Sequence, residues 1–411
     1  MKEPWALPRD WHWAEWKSVA RVAGNLVDPA DHQSLPHIAP NHIESGTGRL
    51  LRYRTVAEDQ VISSKHLFTP GQVLYSKIRP YLAKAVIVDF AGLCSADMYP
   101  VVTDLEPRYL KWWMLSPDFT RFAAGEQART VLPKINKDEL GQLPVPVPPL
   151  AEQRHLVDVL DDHLSRLDAA QQAIGDSLRR LTTLRDAALA SAVGQAYGSA
   201  GVVEASLGSL AKVSSGLTPP KGNKGFYDGG TIPWITSGDL HQGLITRATR
   251  FVTEQALDET TLRIVPAGTL LIAMYGEGRT RGTAAELGLD ATTNQACAAV
   301  ALHDPELRPW IRLVLDANYS KLRRLAAGGV QPNLNLTVVK AMGIPLPSPE
   351  LRDQLLARRV ELDDAYSRLR AQLVVAQRRG AALRRALLAA AFSGRLAGGS
   401  EPPPALADSR P

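Results

Sequence analysis

Apolar positions along this 411-residue chain change their period twice. In one stretch Leu160, Leu164, Leu167, Ile174, Leu178, Leu181 and Ala188 fall on a single a/d register. In a later one Leu355, Leu362, Tyr366, Leu369, Leu373, Ala376, Leu383, Leu387 and Ala390 do the same. Heptad spacing of this kind predicts two long helices sharing a coiled-coil seam. Each is expected to run about 40–45 residues, or about 60–67 Å at 1.5 Å per residue. Pro148 and Pro349 mark the starts, where a missing N–H costs nothing, and Gly194 and Gly394 are read as stops. Two such helices with a whole domain between them are expected to pair antiparallel.

Each helix is preceded by a segment of about 140 residues, the size of one ordinary domain. There the apolar residues come in short runs bounded by Gly, Pro and Asn: QVLYSKI, KAVIVDF, TLLIAMY (Thr269 to Tyr275) and QACAAVAL (Gln295 to Leu302). These predict β-strands. Shorter helices are expected near PRYLKWWMLSPDFTRF and PELRPWIRLVLDANYSKLRRLA. The fold class is therefore mixed α/β (α+β), with two β-rich domains separated by two long helices.

The chain repeats itself. LPVPVPPLAEQ begins at Leu143 and IPLPSPELRDQ at Ile344, so that Pro144, Pro146, Pro148, Leu150 and Gln153 match Pro345, Pro347, Pro349, Leu351 and Gln354. LDDHLSRL matches LDDAYSRL further on, and Arg185, Leu189 and Val193 have the spacing of Arg384, Leu388 and Phe392. More weakly, SLPHIAPNHI parallels TIPWITSGDL, FTPGQVLYSKI parallels VPAGTLLIAMY, and WKSVARV parallels LGSLAKV. A pseudo-twofold internal repeat follows. Its expected parts are a domain at 1–143, a helix at 144–197, a second domain at 198–344, a second helix at 345–396, and a Pro/Gly/Ser-rich tail at 397–411 read as disordered. The proline ladders are read as stiff exits that hold each domain at a set angle to its helix.

Composition narrows the function classes. A net charge of +5 permits an anionic partner without demanding one. Cys94 and Cys297, the two cysteines, exclude a disulfide framework and lie in no metal-ligand cluster, which points to a reducing, cytoplasmic location and to no metal site. MKEPWALPRDWHW lacks the apolar region of a signal peptide, and no run of about 18 apolar residues predicts a membrane span.

On the duplicated ladder–Gln–heptad junctions, IPWITSGDL with its partner LPHIAPNHI, LLIAMYGEGRTRG and the closing RRALLAAAFSGRL, the chain resembles the specificity subunits of type I restriction–modification systems over nearly all of residues 1–396. The resemblance implies two target recognition domains reading the halves of a split, asymmetric double-stranded DNA target, held apart by the helices. It implies two modification subunits that carry S-adenosylmethionine and methylate adenine, with restriction subunits completing the nuclease. This chain would hold no cofactor itself.

Candidate DNA contacts are the loop cations and amides, because Lys and Arg meet phosphates while Arg, Asn and Gln read base edges. In the first domain they are Arg52 and Arg54 beside Tyr53, then Lys77, Arg79, Tyr81 and Lys84 after a strand, and Lys134 and Asn136. In the second they are Ser237, Asp239, Arg247, Arg250, Tyr275, Arg279, Arg281, Gln331, Asn333 and Asn335. Structural readings stand beside these: solvated surface charge, an SGD turn in which Asp239 bonds its own backbone, and tryptophans (Trp5, Trp11, Trp13, Trp16, Trp112, Trp113) that pack rather than stack on bases. YGEGRTRG lacks the spacing of a phosphate-cofactor loop. No methyltransferase, nuclease, Walker or HExxH motif occurs, so no catalytic residue is assigned. The competing readings are a coiled-coil adaptor between proteins and a specificity subunit serving methylation only.

Overall fold

The structure is a computed structural model that describes residues 3–125, 133–276, 280–325 and 334–396. Arg279, Gln331, Asn333 and the tail at 397–411 lie outside the described residues. The chain divides into two compact units, residues 1–174 with 374–411, and residues 175–373. Both long helices contribute to both units: Leu150–Tyr197 and Pro349–Phe392 each leave one unit and enter the other.

The first unit holds a four-stranded antiparallel sheet in the order Ala20–Val22, Met98–Thr103, Val73–Ser76, Ala85–Ile87. A five-stranded sheet beside it runs Leu26–Val27, Lys65–Phe68, Gly92–Cys94, Pro36–Ile38, Arg54–Thr55. Helices Pro107–Leu115 and Pro117–Ala124 cover the first sheet, each opened by a proline at its first position. Tyr75, Tyr109, Trp113 and Phe119 form the main core. Leu156, Leu160 and Leu164 of the first long helix join it, with Leu388, Ala391 and Phe392 of the second. Trp11, Trp16, Trp112 and Trp113 are buried, and Trp5 meets Trp13 edge-on at 4.7 Å, so the tryptophans pack.

The second unit repeats this plan. Its five-stranded sheet is ordered Ala211–Ser215, Cys297–Leu302, Leu270–Ala273, Ala284–Leu287, Leu244–Ile245, beside the smaller sheet Phe251–Val252, Ile232–Ile235, Thr292–Thr293. Trp310, Leu313 and Val314 of helix Arg308–Ala317 pack against Val193 and Ala196 of the first long helix and Leu355 of the second. The paired segments found in the sequence coincide in structure. Gly71 and Gly268 take the same left-handed turn, φ +85° and +83°, ahead of equivalent strands. Trp16–Val19 and Leu207–Leu210 are equivalent short helices.

The proline ladders are edge strands, each paired with a strand of the domain that precedes it. Pro144–Val147 pairs antiparallel with His12–Glu15, and Gly343–Leu346 with Val203–Ser206. Pro and Val alternate, so the prolines sit on the outer edge, where no N–H is needed. Tyr109 Oη donates to the Pro146 carbonyl at 2.6 Å, and Trp310 Nε1 to the Pro345 carbonyl at 2.7 Å. Each strand thereby ties the last step before a long helix to the first strand of its domain.

Two expectations need correction. Gly194 does not stop the first helix, which runs on to Tyr197. Ala196 is fully buried and Tyr197 Oη donates to the Gly343 carbonyl at 3.0 Å, contacts that outweigh the cost of about 1 kcal/mol for an interior glycine. The strict heptad seam also fails in the second helix, where Leu369 and Leu383 are 49% and 52% exposed. A straight helix drifts against a 3.5-residue repeat. In the first unit the inward positions become Gly380, Leu388, Ala391 and Phe392, with Arg384 turned toward Asp168. In the second unit the face near Leu369 is filled by Arg185 over the Tyr366 ring, 5.2 Å to its centroid. Leu160 and Leu164 are buried; Leu167, Ile174, Leu178, Leu181, Leu362, Tyr366, Leu373 and Leu387 are half-buried. The helices are antiparallel within each unit: Gln171 Nε2 donates to the Gln377 carbonyl near the Asp168–Arg384 pair, and Arg185 meets Asp363 near Gln195 and Arg358.

Candidate nucleic-acid interface

Equivalent frameworks carry the candidate residues in both units. In the first, strand Val73–Ser76 leads into Lys77, whose N–H donates to the Asp97 carbonyl at 3.0 Å. Ile135 N–H returns to the Lys77 carbonyl at 2.9 Å. In the second, Met274 N–H donates to Ala296 at 2.7 Å and Leu334 N–H to Met274 at 3.2 Å. The strand end is thus held beside the segment that precedes a short helix.

In both units an asparagine caps that helix. Asn136 Oδ1 accepts from Glu139 N–H at 2.8 Å, and the Glu139 carboxylate accepts from Asn136 N–H at 2.9 Å. Asn335 Oδ1 accepts from Val338 N–H at 2.9 Å. Such caps contribute about 1 kcal/mol each. The alignment of the two asparagines therefore reflects a shared structural role.

The first unit gathers Lys77, Arg79 and Lys134. Ile78 bridges Lys134 in antiparallel fashion, and Arg79 N–H donates to the Pro133 carbonyl at 2.8 Å. Lys134 Nζ lies 3.5 Å from Asp97, and Lys77 Nζ lies 5.3 Å from the Tyr99 ring centroid. Tyr81 is half exposed at the tip of the same loop. Lys84 turns inward, where its ammonium donates to the Pro40 carbonyl at 2.6 Å; burial, then the charge of Arg79, lowers its pKa. Arg52 and Arg54 are exposed on the edge of the five-stranded sheet, and Tyr53 between them stacks on Phe90. No hydrogen bond or ion pair among the described residues joins them to the Lys77–Lys134 group.

Sequence reasoning missed His66, Lys65 and Lys137 in this neighbourhood. Burial lowers the His66 pKa first, and the charges of Lys137 and Lys77 add to it. Lys65 is likewise lowered by burial, against the opposing pull of Asp97. KHLF and NKDEL carry these cations in unrelated segments, so only the fold could assemble them.

In the second unit Ser237 opens a 3-10 turn, Ser237–Gln242. Asp239 Oδ2 accepts from Thr236 N–H and Thr236 Oγ1, both at 2.8 Å, so the carboxylate serves its own turn. At the equivalent turn of the first unit His42 Nδ1 accepts from Ala39 N–H at 3.2 Å. APNHI and TSGDL therefore build one turn with different acceptors, an imidazole and a carboxylate. His241 Nε2 lies 3.2 Å from Thr280 Oγ1, which brings this turn to the loop after Tyr275. Tyr275 is 37% exposed, Arg281 is half-buried, and Arg247 and Arg250 are exposed.

Chemically these surfaces offer cations, amides and exposed aromatic rings. Among the described residues no group of three or more His, Cys, Asp or Glu is placed to hold a metal ion, and no helix is long and apolar enough to cross a membrane. Cys94 and Cys297 are buried thiols, each pushed up to about 12 by burial.

A family model described as type I restriction modification DNA specificity domain matches residues 200–361. Residues 200–361 are thus similar to a type I DNA specificity domain. The matched segment covers the second unit's sheets and short helices and the first turns of the second long helix. The type I restriction enzyme EcoDI specificity subunit of Escherichia coli is 44% identical over 191 residues, 46% of this chain and 43% of that protein, so the match spans less than half the relative's length. The EcoR124I/EcoR124II specificity subunit of the same organism is 23% identical over 293 residues, 69% of this chain and 70% of its own. Among solved structures, a chain from work on complex assembly and conformational transition of the type I R-M system aligns with TM-score 0.76 at 20% identity, covering 95% of this chain and all of its own. The HsdS subunit of Thermoanaerobacter tengcongensis aligns with TM-score 0.51 at 20% identity, covering 95% and 99%. The fold of these structures thus extends beyond the matched domain into the first half of the chain.

Proposed function

We propose that this chain is the DNA-recognition subunit of a type I restriction–modification complex, acting in the cytoplasm. Each unit reads one half of a bipartite, asymmetric double-stranded target. Two modification subunits, which bind S-adenosylmethionine and methylate adenine, dock on it, and restriction subunits complete the nuclease. The chain itself is not catalytic; it places the target adenine beneath the methyltransferase, which must extrude it from the stack.

One observation carries this reading: two units present the same strand-end and capped-helix framework with different side chains on it, Lys77, Arg79 and Lys134 in one, Tyr275 in the other. A common frame with divergent loops suits two half-sites of different sequence. Phosphate contacts by the cations would supply affinity, and base edges would supply specificity.

The test is co-expression with the candidate modification subunit followed by methylome sequencing. A split motif with methyladenine in both halves is expected. Absence of methylation together with tight protein-only complexes would instead favour an adaptor, and methylation or cleavage by the purified chain alone would overturn the non-catalytic role.

A further inference from the structure

The loop between Lys77 and Lys84 is strained and firmly held. Among the described residues, three non-glycine residues have positive φ, and two of them, Arg79 at +49° and Ala83 at +46°, flank the single 3-10 turn Pro80–Leu82. Left-handed backbone is unfavourable for an L residue, because its Cβ crowds the neighbouring carbonyl. Strain of that kind persists where surrounding structure over-determines it, and it clusters at functional sites. Here the surroundings are explicit. Arg79 N–H donates to Pro133, Leu82 N–H to Arg79, Ala83 N–H to Pro80 and Gly46 N–H to the Ala83 carbonyl, all at 2.8–2.9 Å. Ser76 Oγ donates to the Ile78 carbonyl at 3.1 Å, and Pro80 and Ala83 are buried.

Packing alone would explain a strained loop that buries its side chains. This loop does the reverse with its two largest: Arg79 and Tyr81 are exposed. The other cations nearby are engaged, Lys77 beside the Tyr99 ring, Lys84 on the Pro40 carbonyl and Lys134 beside Asp97. The Arg79 guanidinium has no hydrogen bond or ion pair among the described residues. A free planar donor fork on an immobile backbone, ringed by positive charge, suits a base edge on a polyanion. Arg matches the two acceptors of guanine, O6 and N7, in the major groove.

We infer that Arg79 is a specificity-determining residue of the first recognition unit, reading a guanine in one half-site, and that the Pro80–Leu82 turn is the device that positions it. The inference rests on the DNA-recognition reading given above.

The experiment is methylome sequencing of the full chain co-expressed with its modification subunit, as wild type, Arg79→Ala, Arg79→Gly and Lys134→Gln. Both Arg79 variants should lose discrimination at one G·C position of one half-site, roughly tenfold to a hundredfold, with the other half-site intact. Glycine fits the left-handed backbone, so agreement between the two variants assigns the loss to the guanidinium and not to a disturbed loop. Lys134→Gln should lower methylation evenly over all sites. An unchanged motif in both Arg79 variants, or an even loss without any relaxed position, overturns the assignment to base reading. A wild-type complex without a motif would instead sink the recognition reading beneath it.

Discussion

Arg185 Nε donates to Asp363 Oδ1 at 2.8 Å, and 199 residues further along the chain Arg384 makes the counterpart bond to Asp168. In both cases an arginine late in one long helix meets an aspartate early in the other. The matched spacing of Arg185, Leu189 and Val193 with Arg384, Leu388 and Phe392 thus has a physical basis. The arginine ties the two helices together; of the apolar residues one and two turns later, Val193, Leu388 and Phe392 enter a domain core and Leu189 is buried.

The two pairs differ in what lies behind them. Asp363 also accepts from Arg359 at 3.3 Å, Arg359 reaches Asp316 at 2.5 Å, and Arg312 holds Asp316 at 3.1 Å, with Arg359 and Asp316 only 15% exposed. Asp316→Ala would remove the carboxylate that Arg312 and Arg359 share, leaving Arg359 only its longer bond to Asp363, and should cost about 2–4 kcal/mol in urea unfolding. Asp168, 43% exposed, should cost within about 1 kcal/mol when changed to Ala. Equal losses for the two would show that the ion-pair chain carries no weight.

The duplicated glutamine gives a sharper contrast. Gln153 is 3% exposed, accepts from Glu106 N–H at 2.9 Å and donates to the Pro148 carbonyl at 2.9 Å. Gln153→Ala should destabilise by about 2 kcal/mol, because it strands two backbone groups. Gln354 is exposed, and its alanine variant should stay within about 0.5 kcal/mol in the same denaturation assay.

At Gly380 a Cβ would run into the Gln171 side chain, which donates to the Gln377 carbonyl. Gly380→Ala gains about 1 kcal/mol of helix propensity but displaces that amide. Combined with Gln171→Ala, the gain should appear in full as a higher melting temperature. The single variant should show less, and strict additivity in the double-mutant cycle would count against the contact.

Lys111 lies over the Trp112 ring, 3.7 Å to the centroid, and burial is the main cause lowering its pKa to about 8, with Asp161 opposing and Arg108 and Arg384 assisting. Its ordinary value is 10.5, so between pH 8 and 10.5 the unfolded chain binds the proton more strongly than the folded one. Its contribution to stability therefore rises with pH through that window and is lost as pH falls through 8. Lys111→Met should flatten this rise in melting temperature and raise stability at pH 7. A wild-type curve flat from pH 8 to 10 would refute the burial argument.

Much of this was legible from the sequence because a repeat displays itself twice. The strand at Val73–Ser76, its copy at Leu270–Ala273, the glycine turns ahead of them and the two long helices follow from local periodicity and punctuation. The helix seam was not legible at Leu369 and Leu383, because a heptad count cannot see where polar pairs replace leucine knobs. Nor could spacing show that Asn136 and Asn335 cap helices, that Lys84 clasps Pro40, or that His66 and Lys137 join the cations of Lys77. Those facts depend on segments distant in sequence that only the folded sheets bring together.

The outer edges of the ladder strands have one more consequence. Pro144 and Pro146 offer no N–H on that side, and the Pro146 carbonyl is already taken by Tyr109; in the other copy Trp310 takes Pro345 and Tyr197 takes Gly343. A foreign strand approaching there finds no donor at Pro144, Pro146 or Pro345, and the carbonyls of Pro146, Gly343 and Pro345 are already engaged. The ladders therefore insulate a chain with two small, open-edged sheets against self-association, protecting solubility where its two domains hand over to their helices.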